Sequence, residues 1–513
     1  MRSAALAALL SLAACRAAPP ADPVEVPAPQ PGVDVQQVRV RLVLDPATLT
    51  VRATARLVVA HVGRLDRLVL GLDDALDVSL VRVDGQAVAV VREGDALVVP
   101  VARGARTTTV EVAYGGVPAA GLYAAEAAGQ RVVFTDAWPD RAAGWLPAVH
   151  HPSDPFALDL TVVVPAAYDA VLTGETVLDT VVAGQRTVRS LLPAGAPVYT
   201  AAFAVGQFVT VHDGSGSVPV RHVLLDADAG LAPDLRRVSA ALDTLAEALG
   251  PYPYATFATV EVPIAYAGME NAAAPFLRAA LYRETAEGRT PVEEVAVHEL
   301  VHQWWGNAVA PADWRDLWLA EGPATYLTAE VLGRLDGPDT RRRHLARMVR
   351  ETTPEDARRR LVPEALGRPE DALSLTVYNK GATVLHLIRL RVGERAFWRA
   401  LRGIQAERAG RSVSTAAFRG AFERASGQDL GALFAYWVYG TEIPRLDTHW
   451  DHRTRMLSWT LTGGDGTLAG VPAELLVRQD GAERVVRLAA GYVAMPGAAR
   501  PDVWPVGVLL DVD

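Results

Sequence analysis

Two histidines four residues apart, with a glutamate beside the first, carry the plainest chemistry in this sequence. The segment is Val297-His298-Glu299-Leu300-Val301-His302. On a helix, side chains four apart stand one turn apart on the same face, so His298 and His302 aim ring nitrogens at one point. Glu299 lies about 100° round from the first histidine and about 60° from the second, beside that point rather than on it. Two neutral imidazoles suit a zinc ion, and a neighbouring carboxylate can take a proton from a water bound there. A reactive zinc takes three protein ligands and leaves one position for water. Glu321, in Trp318-Leu319-Ala320-Glu321-Gly322, supplies the third, with eighteen residues between it and His302.

The elements around these residues follow from hydrophobic spacing. A helix from Val292 to about Asn307 carries the histidines, and a turn near Pro311 to Asp313 leads to a second helix from Asp313 to Leu332 that carries Glu321. Upstream, from about Val35 to Gln207, the pattern alternates. Val38, Val40, Leu42 and Leu44 fall on one face, Gln37, Arg39 and Arg41 on the other, and Asp45-Pro46 turns the chain. Further strands read from Ala53 to Ala60, Ala96 to Val101, Thr107 to Val112 and Leu158 to Val164. A helix follows from Asp234 to Leu249, stopped by Gly250-Pro251, and a strand from Thr256 to Val262. Helical patterns return between Lys380 and Arg402 and from Asp429 to Val438. Beyond Gly440, alternation returns at Met456 to Leu461, Leu475 to Arg478 and Val485 to Leu488.

With 513 residues, half of them hydrophobic and 21% charged, the chain has material for about three globular domains. Its 50 basic and 59 acidic residues leave a net charge of −9, which argues against nucleic acid as a partner. The arginine clusters Arg341 to Arg343 and Arg358 to Arg360 read as solvated helix faces. No apolar run reaches the roughly 20 residues that span a bilayer. The single cysteine, Cys15, excludes an intrachain disulfide and a multi-cysteine zinc site.

The stretch HELVHQWWGNAVAPADWRDLWLAEGPATY, together with Gly268-Met269-Glu270-Asn271, resembles the aminopeptidase N family of zinc metallopeptidases. The resemblance implies a multidomain α+β fold: an N-terminal all-β saddle domain, a thermolysin-like α/β catalytic domain and a small C-terminal β-sandwich. On the sequence the boundaries fall at 35–210, 211–440 and 441–513. Many relatives continue into a large helical carboxy-terminal domain, which this chain is expected to lack. The resemblance further implies one Zn²⁺ per chain, on His298, His302 and Glu321, with Glu299 as general base. Glu270 would bind the free α-ammonium of a peptide, helped by Gly268, Met269 and Asn271, because a buried carboxylate attracts an ammonium strongly. Asp136 falls where relatives have a glutamine or glutamate that shares this work. Tyr378, in Tyr378-Asn379-Lys380-Gly381-Ala382, matches the tyrosine that stabilises the oxyanion. Lys380 beside it is the chain's only lysine. His150-His151-Pro152 reads as a structural loop, and so do His449 and His452.

The expected activity is removal of N-terminal residues from peptides with a free amine. A thermolysin-like endopeptidase, a lipid-epoxide hydrolase and a tethered non-catalytic binding protein are the alternatives. The first residues, Arg2, an apolar run from Ala4 to Ala14 and Leu12-Ala13-Ala14-Cys15, resemble a bacterial lipoprotein signal. That implies a signal peptide over 1–14, a lipid on Cys15 and a proline- and alanine-rich tether over 15–34. Arg16 is not the aspartate that retains lipoproteins in the inner membrane, so the expected place is the outer membrane, facing the periplasm, as a monomer.

Overall fold

The computed structural model describes residues 30–61, 65–283, 291–463 and 473–512. Cys15, the segment 1–14 and the tether through residue 29 lie outside them. The chain forms two compact units. The first runs to Ala246 and includes Pro251–Trp314 and Arg408–Ser412; the second takes Glu247–Gly250, Arg315–Glu407 and the chain from Val413. The fold is an N-terminal β domain followed by mixed sheets and helices.

In the first unit the alternating segments become an eight-stranded sheet with Val33–Asp45 and Phe156–Pro165 at its centre. Val38, Val40, Leu42 and Leu44 are buried while Gln37, Arg39 and Arg41 face out, as period-two alternation demands. The Asp45 carboxylate accepts from the Ala47 amide at 2.9 Å and closes the turn to Thr50–His61. These two strands are parallel, Val38 opposite Leu158 and Val40 opposite Leu160, although the partners stand 120 positions apart in the chain. A four-stranded sheet, ordered Asp169–Leu172, Phe203–Gly206, Gln130–Thr135 and Leu122–Ala127, delivers the chain to Asp136.

A five-stranded sheet then positions the chemistry. Val220–Leu225, Phe257–Val262 and Phe276–Arg278 run parallel, and the two-residue strand Gly268–Met269 closes one edge antiparallel to Phe276–Arg278. Every residue of Phe257–Val262 is buried, as expected of a central strand in a parallel sheet. Helix Val238–Leu249 forms the crossover between the first two parallel strands. It starts at Val238 rather than at Asp234, because the chain through Leu235 is wound as a 3-10 helix, Asp226–Leu235.

The histidine helix spans Val292–His302. It stops five residues short of the predicted end because Gly306 takes a φ of 109° and the chain folds back, Gly306 N–H to Val309 C=O at 2.9 Å. Glu293 in its first turn pairs with Arg237, Nε to Oε1 at 2.7 Å.

In the second unit, helix Trp318–Asp336 packs on helix Gly381–Val392. The helical patterns between Lys380 and Arg402 form two helices, Gly381–Val392 and Glu394–Arg408, separated at Gly393 with φ 81°. Inside this unit Arg389 pairs with Glu330 at 2.6 Å and donates to the Tyr326 hydroxyl at 3.0 Å. The last strands form a four-stranded sheet on Arg445–Asp451 and Met456–Thr462 and a three-stranded sheet on Glu474–Gln479. Trp504 lies under the Arg350 and Arg478 guanidinium groups, 5.6 and 5.2 Å from its ring centre. Gly507 lies against the His386 ring so closely that a Cβ would meet Cδ2 at 2.7 Å. No described helix is long and apolar enough to cross a membrane.

Candidate active site

His298 and His302 face one another, ring centres 4.8 Å apart and Nε2 atoms 3.2 Å apart. Nδ1 of His302 lies 3.0 Å from the Trp305 carbonyl oxygen, which can only accept, so the proton stays on Nδ1 and Nε2 presents a lone pair. Two nitrogen ligands at roughly 2.0–2.1 Å from a tetrahedral zinc stand about 3.3 Å apart. The observed separation therefore fits two arms of such a centre.

Glu299 and Glu270 are both buried, 4% and 6% exposed. Their carboxylate oxygens and a His302 ring nitrogen lie within 4.8 Å of one another. Two carboxylates this close and this dry repel each other and draw in a positive charge. Gly268 lies directly against Glu299: a Cβ at Gly268 would stand 2.2 Å from Oε1. The backbone of the edge strand thus forms one wall of the carboxylate's niche.

Two residues hold this arrangement that the sequence reading did not single out. The Gln303 side chain donates to the Glu299 carbonyl at 2.9 Å and accepts from the Ala273 amide at 2.7 Å. Asn307 Nδ2 donates to the Glu270 carbonyl at 2.7 Å. Both are fully buried and tie the histidine segment to the Gly268–Ala273 segment by main-chain atoms. Their one sequence signal is position: they follow directly on His302, in Gln303-Trp304-Trp305-Gly306-Asn307. Asn271 and Met269 are buried beside them in sequence.

Asp136 sits at the end of its strand and forms an ion pair with Arg141. The same guanidinium donates to the Tyr266 hydroxyl at 3.3 Å, two residues before Gly268. Burial pushes the Asp136 carboxyl up, against the pull of Arg141. Its carboxylate is thus shared with an arginine that the sequence reading did not assign.

In the second unit, Glu321 is buried in the first turn of helix Trp318–Asp336. The next residue, Gly322, meets Gly381 so closely that a Cβ on Gly381 would lie 2.9 Å from the Gly322 Cα. Just before Gly381, Tyr378 occupies the middle of a π-helical turn, Thr376–Lys380, and is half-buried. Such turns inside helices recur at functional positions.

His150, His151 and His452, read from the sequence as structural, have structural partners. His150 lies 3.2 Å from the Gly71 carbonyl oxygen through Nε2, and burial pulls its ring down to about 4. His151 contacts Ser153 at 2.8 Å, and His452 accepts from the Trp450 indole at 3.1 Å. Among the described residues, none of these joins a group of three that could hold a metal.

Residues 235–437 match the Peptidase family M1 domain. Leucine aminopeptidase 2-1 of Meyerozyma guilliermondii is 32% identical over 144 residues, covering 26% of this chain and 22% of that protein. Aminopeptidase N of Haemophilus influenzae is 30% identical over 159 residues, covering 30% of this chain and 18% of that protein. The chain therefore spans about a fifth of the length of these curated relatives in the matched region. A crystal structure of an M1 zinc metallopeptidase from Deinococcus radiodurans superposes with a TM-score of 0.70 at 27% identity, over 81% of this chain and 96% of that one. The histidine pair and the adjoining carboxylates all lie within the segment 235–437 that matches the Peptidase family M1 domain.

Proposed function

We propose that this protein is a zinc-dependent aminopeptidase that removes the N-terminal residue from peptides with a free amine. The observation that carries this reading is the pair of buried carboxylates, Glu270 and Glu299, sharing one niche with His302. One carboxylate suffices for an endopeptidase's general base; the second, in a dry setting, is suited to an ammonium. His298 and His302 would hold the metal, with Glu321 as the third ligand by its place in the sequence motif. When bound, zinc supplies a Lewis acid that polarises a water and the scissile carbonyl.

The chain's own residues do the rest. Glu270 holds the α-ammonium, so only the first peptide bond comes within reach of Glu299. Asn307 and Gln303 keep the two acids in fixed relation through main-chain hydrogen bonds. Glu299 takes a proton from the attacking water and passes it to the departing amine nitrogen. Tyr378 donates its hydroxyl to the carbonyl oxygen as negative charge develops there. Asp136, paired with Arg141, reaches the amine as one half of an ion pair rather than as a bare carboxylate.

The reading extends to an exported lipoprotein, cleaved before Cys15 and held at the outer membrane by a lipid there, working as a monomer with the domain boundaries given above. It rests on the residues from Arg2 to Cys15 and the proline-rich stretch after them.

The test of the activity is a set of aminoacyl anilides assayed beside their N-acetylated counterparts, with and without chelator. Turnover of the free-amine forms alone, lost on chelation, is expected; equal turnover of the blocked forms overturns the reading. Mass spectrometry of the mature amino terminus tests the anchor.

A further inference from the structure

The segment that carries Tyr378 is fixed at both ends. At its first residue the Thr376 hydroxyl donates to the Asp356 carbonyl at 3.0 Å. At its last, Lys380 Nζ donates to the carbonyls of Arg359 at 2.7 Å and Gly440 at 3.2 Å. Gly381, the next residue, is seated against Gly322. Tyr378 thus stands midway between two tie points, each two residues away.

Lys380 is an unusual tie. It is the one lysine among 50 basic residues, and it is 0% exposed. The hydrogen-bond partners of its ammonium are backbone carbonyls. Arg359 caps the C-terminal end of the short helix Pro354–Arg358, which favours a cation, and Gly440 lies two residues beyond the C-cap of helix Gly431–Trp437. Burial nevertheless pulls the ammonium down to about 8. Carrying a cation into the interior without a carboxylate costs stability. What it provides in return is geometry: a compact, tetrahedral donor that joins three chain segments at one atom. The planar, longer guanidinium does not reproduce that junction.

We propose that Lys380 is a positioning residue for Tyr378, fixing the π-helical turn so that the tyrosine hydroxyl points where the oxyanion forms. The proposal rests on the reading of Tyr378 as the oxyanion donor. It goes beyond that reading by assigning a role to a residue that touches neither substrate nor metal.

A double-mutant cycle on the full chain tests it: wild type, Tyr378→Phe, Lys380→Met and the double variant, with kcat and KM measured on an aminoacyl anilide. Lys380→Met is expected to lower kcat about tenfold or more, with KM within about twofold. The double variant is expected to fall no further than Tyr378→Phe alone, because a residue that acts through Tyr378 has nothing left to position. Losses that multiply, or a matching rise in KM, overturn the proposal and leave Lys380 a general packing residue. Wild-type turnover by Tyr378→Phe removes the tyrosine reading itself, and the proposal with it. Lys380→Arg keeps a charge and a donor, which guards against an unfolded methionine variant. It is expected to fold and to show the same kcat-only loss; full activity in it overturns the requirement for an ammonium.

Discussion

Gly268 is packed against the carboxylate of Glu299, so closely that a single added methyl would stand 2.2 Å from Oε1. Gly268 belongs to a strand edge whose position is set by pairing with Phe276–Arg278, and Glu299 to a helix tied down by Gln303. Neither backbone is free to give way, so the carboxylate must. Gly268→Ala is therefore expected to turn Glu299 away from its working position and reduce kcat about a hundredfold. Metal content should be unchanged, since the histidines do not move. Kinetics with elemental analysis of the same preparation check this; a kcat within twofold of wild type would contradict it.

Glu299→Gln keeps the shape of the side chain and removes its basicity. Turnover should drop by roughly 10²–10⁴-fold, the usual worth of a general acid–base group. The variant should still fill with one zinc per chain. Stopped assays at high enzyme concentration, beside metal analysis, separate loss of the base from loss of the ion.

Glu270→Ala removes the second carboxylate of the niche. Losing one partner of a buried charge pair costs about 2–5 kcal/mol, so kcat/KM for free-amine anilides is expected to fall about 30-fold or more. Zinc content should not fall with it, so kinetics beside metal analysis of the same preparation read the loss of the amine anchor alone.

Asp154 offers a test of stability against pH away from the reaction. Its carboxylate accepts from the Val35 amide at 3.1 Å, and burial raises it from 3.8 to about 7. A carboxyl raised in the folded state is ionised first in the unfolded chain. Its stability contribution is therefore full below about 4 and lost as pH rises through about 7. Relative to Asp154→Asn, which does not ionise, the wild type should lose stability on the order of a few kcal/mol across that window and stay level above it. Chemical denaturation of both proteins at pH 4.5, 6 and 8 measures the difference.

Much of the strand and helix content was legible because it rests on local periodicity. Val38 to Leu44 alternate and are buried alternately, and the histidine pair sits on the helix its spacing requires. Helix ends were less legible. The run after His302 stays apolar through Trp304 and Trp305, so hydrophobicity does not mark the stop; the backbone reversal at Gly306 does. The parallel pairing of Val33–Asp45 with Phe156–Pro165 was not readable at all, because a register between strands so distant in sequence is set by the whole core. At the site, residue types revealed the acids and histidines, whereas Gln303 and Asn307 act through main-chain partners that leave no signature in spacing. Asp136 was located by likeness to relatives, and likeness carried no word of Arg141, five residues on, which holds it.

The seating of Gly507 on the His386 ring bears on protein engineering. A shortened version ending at Gly440 would strip the cover from that imidazole and unstack Trp504 from Arg350. Helix Gly381–Val392, which begins directly after the Tyr378 turn, would then carry a bare, water-exposed flank. A designer seeking a smaller catalyst should expect to keep the terminal strands, or to replace what they cover with new polar surface.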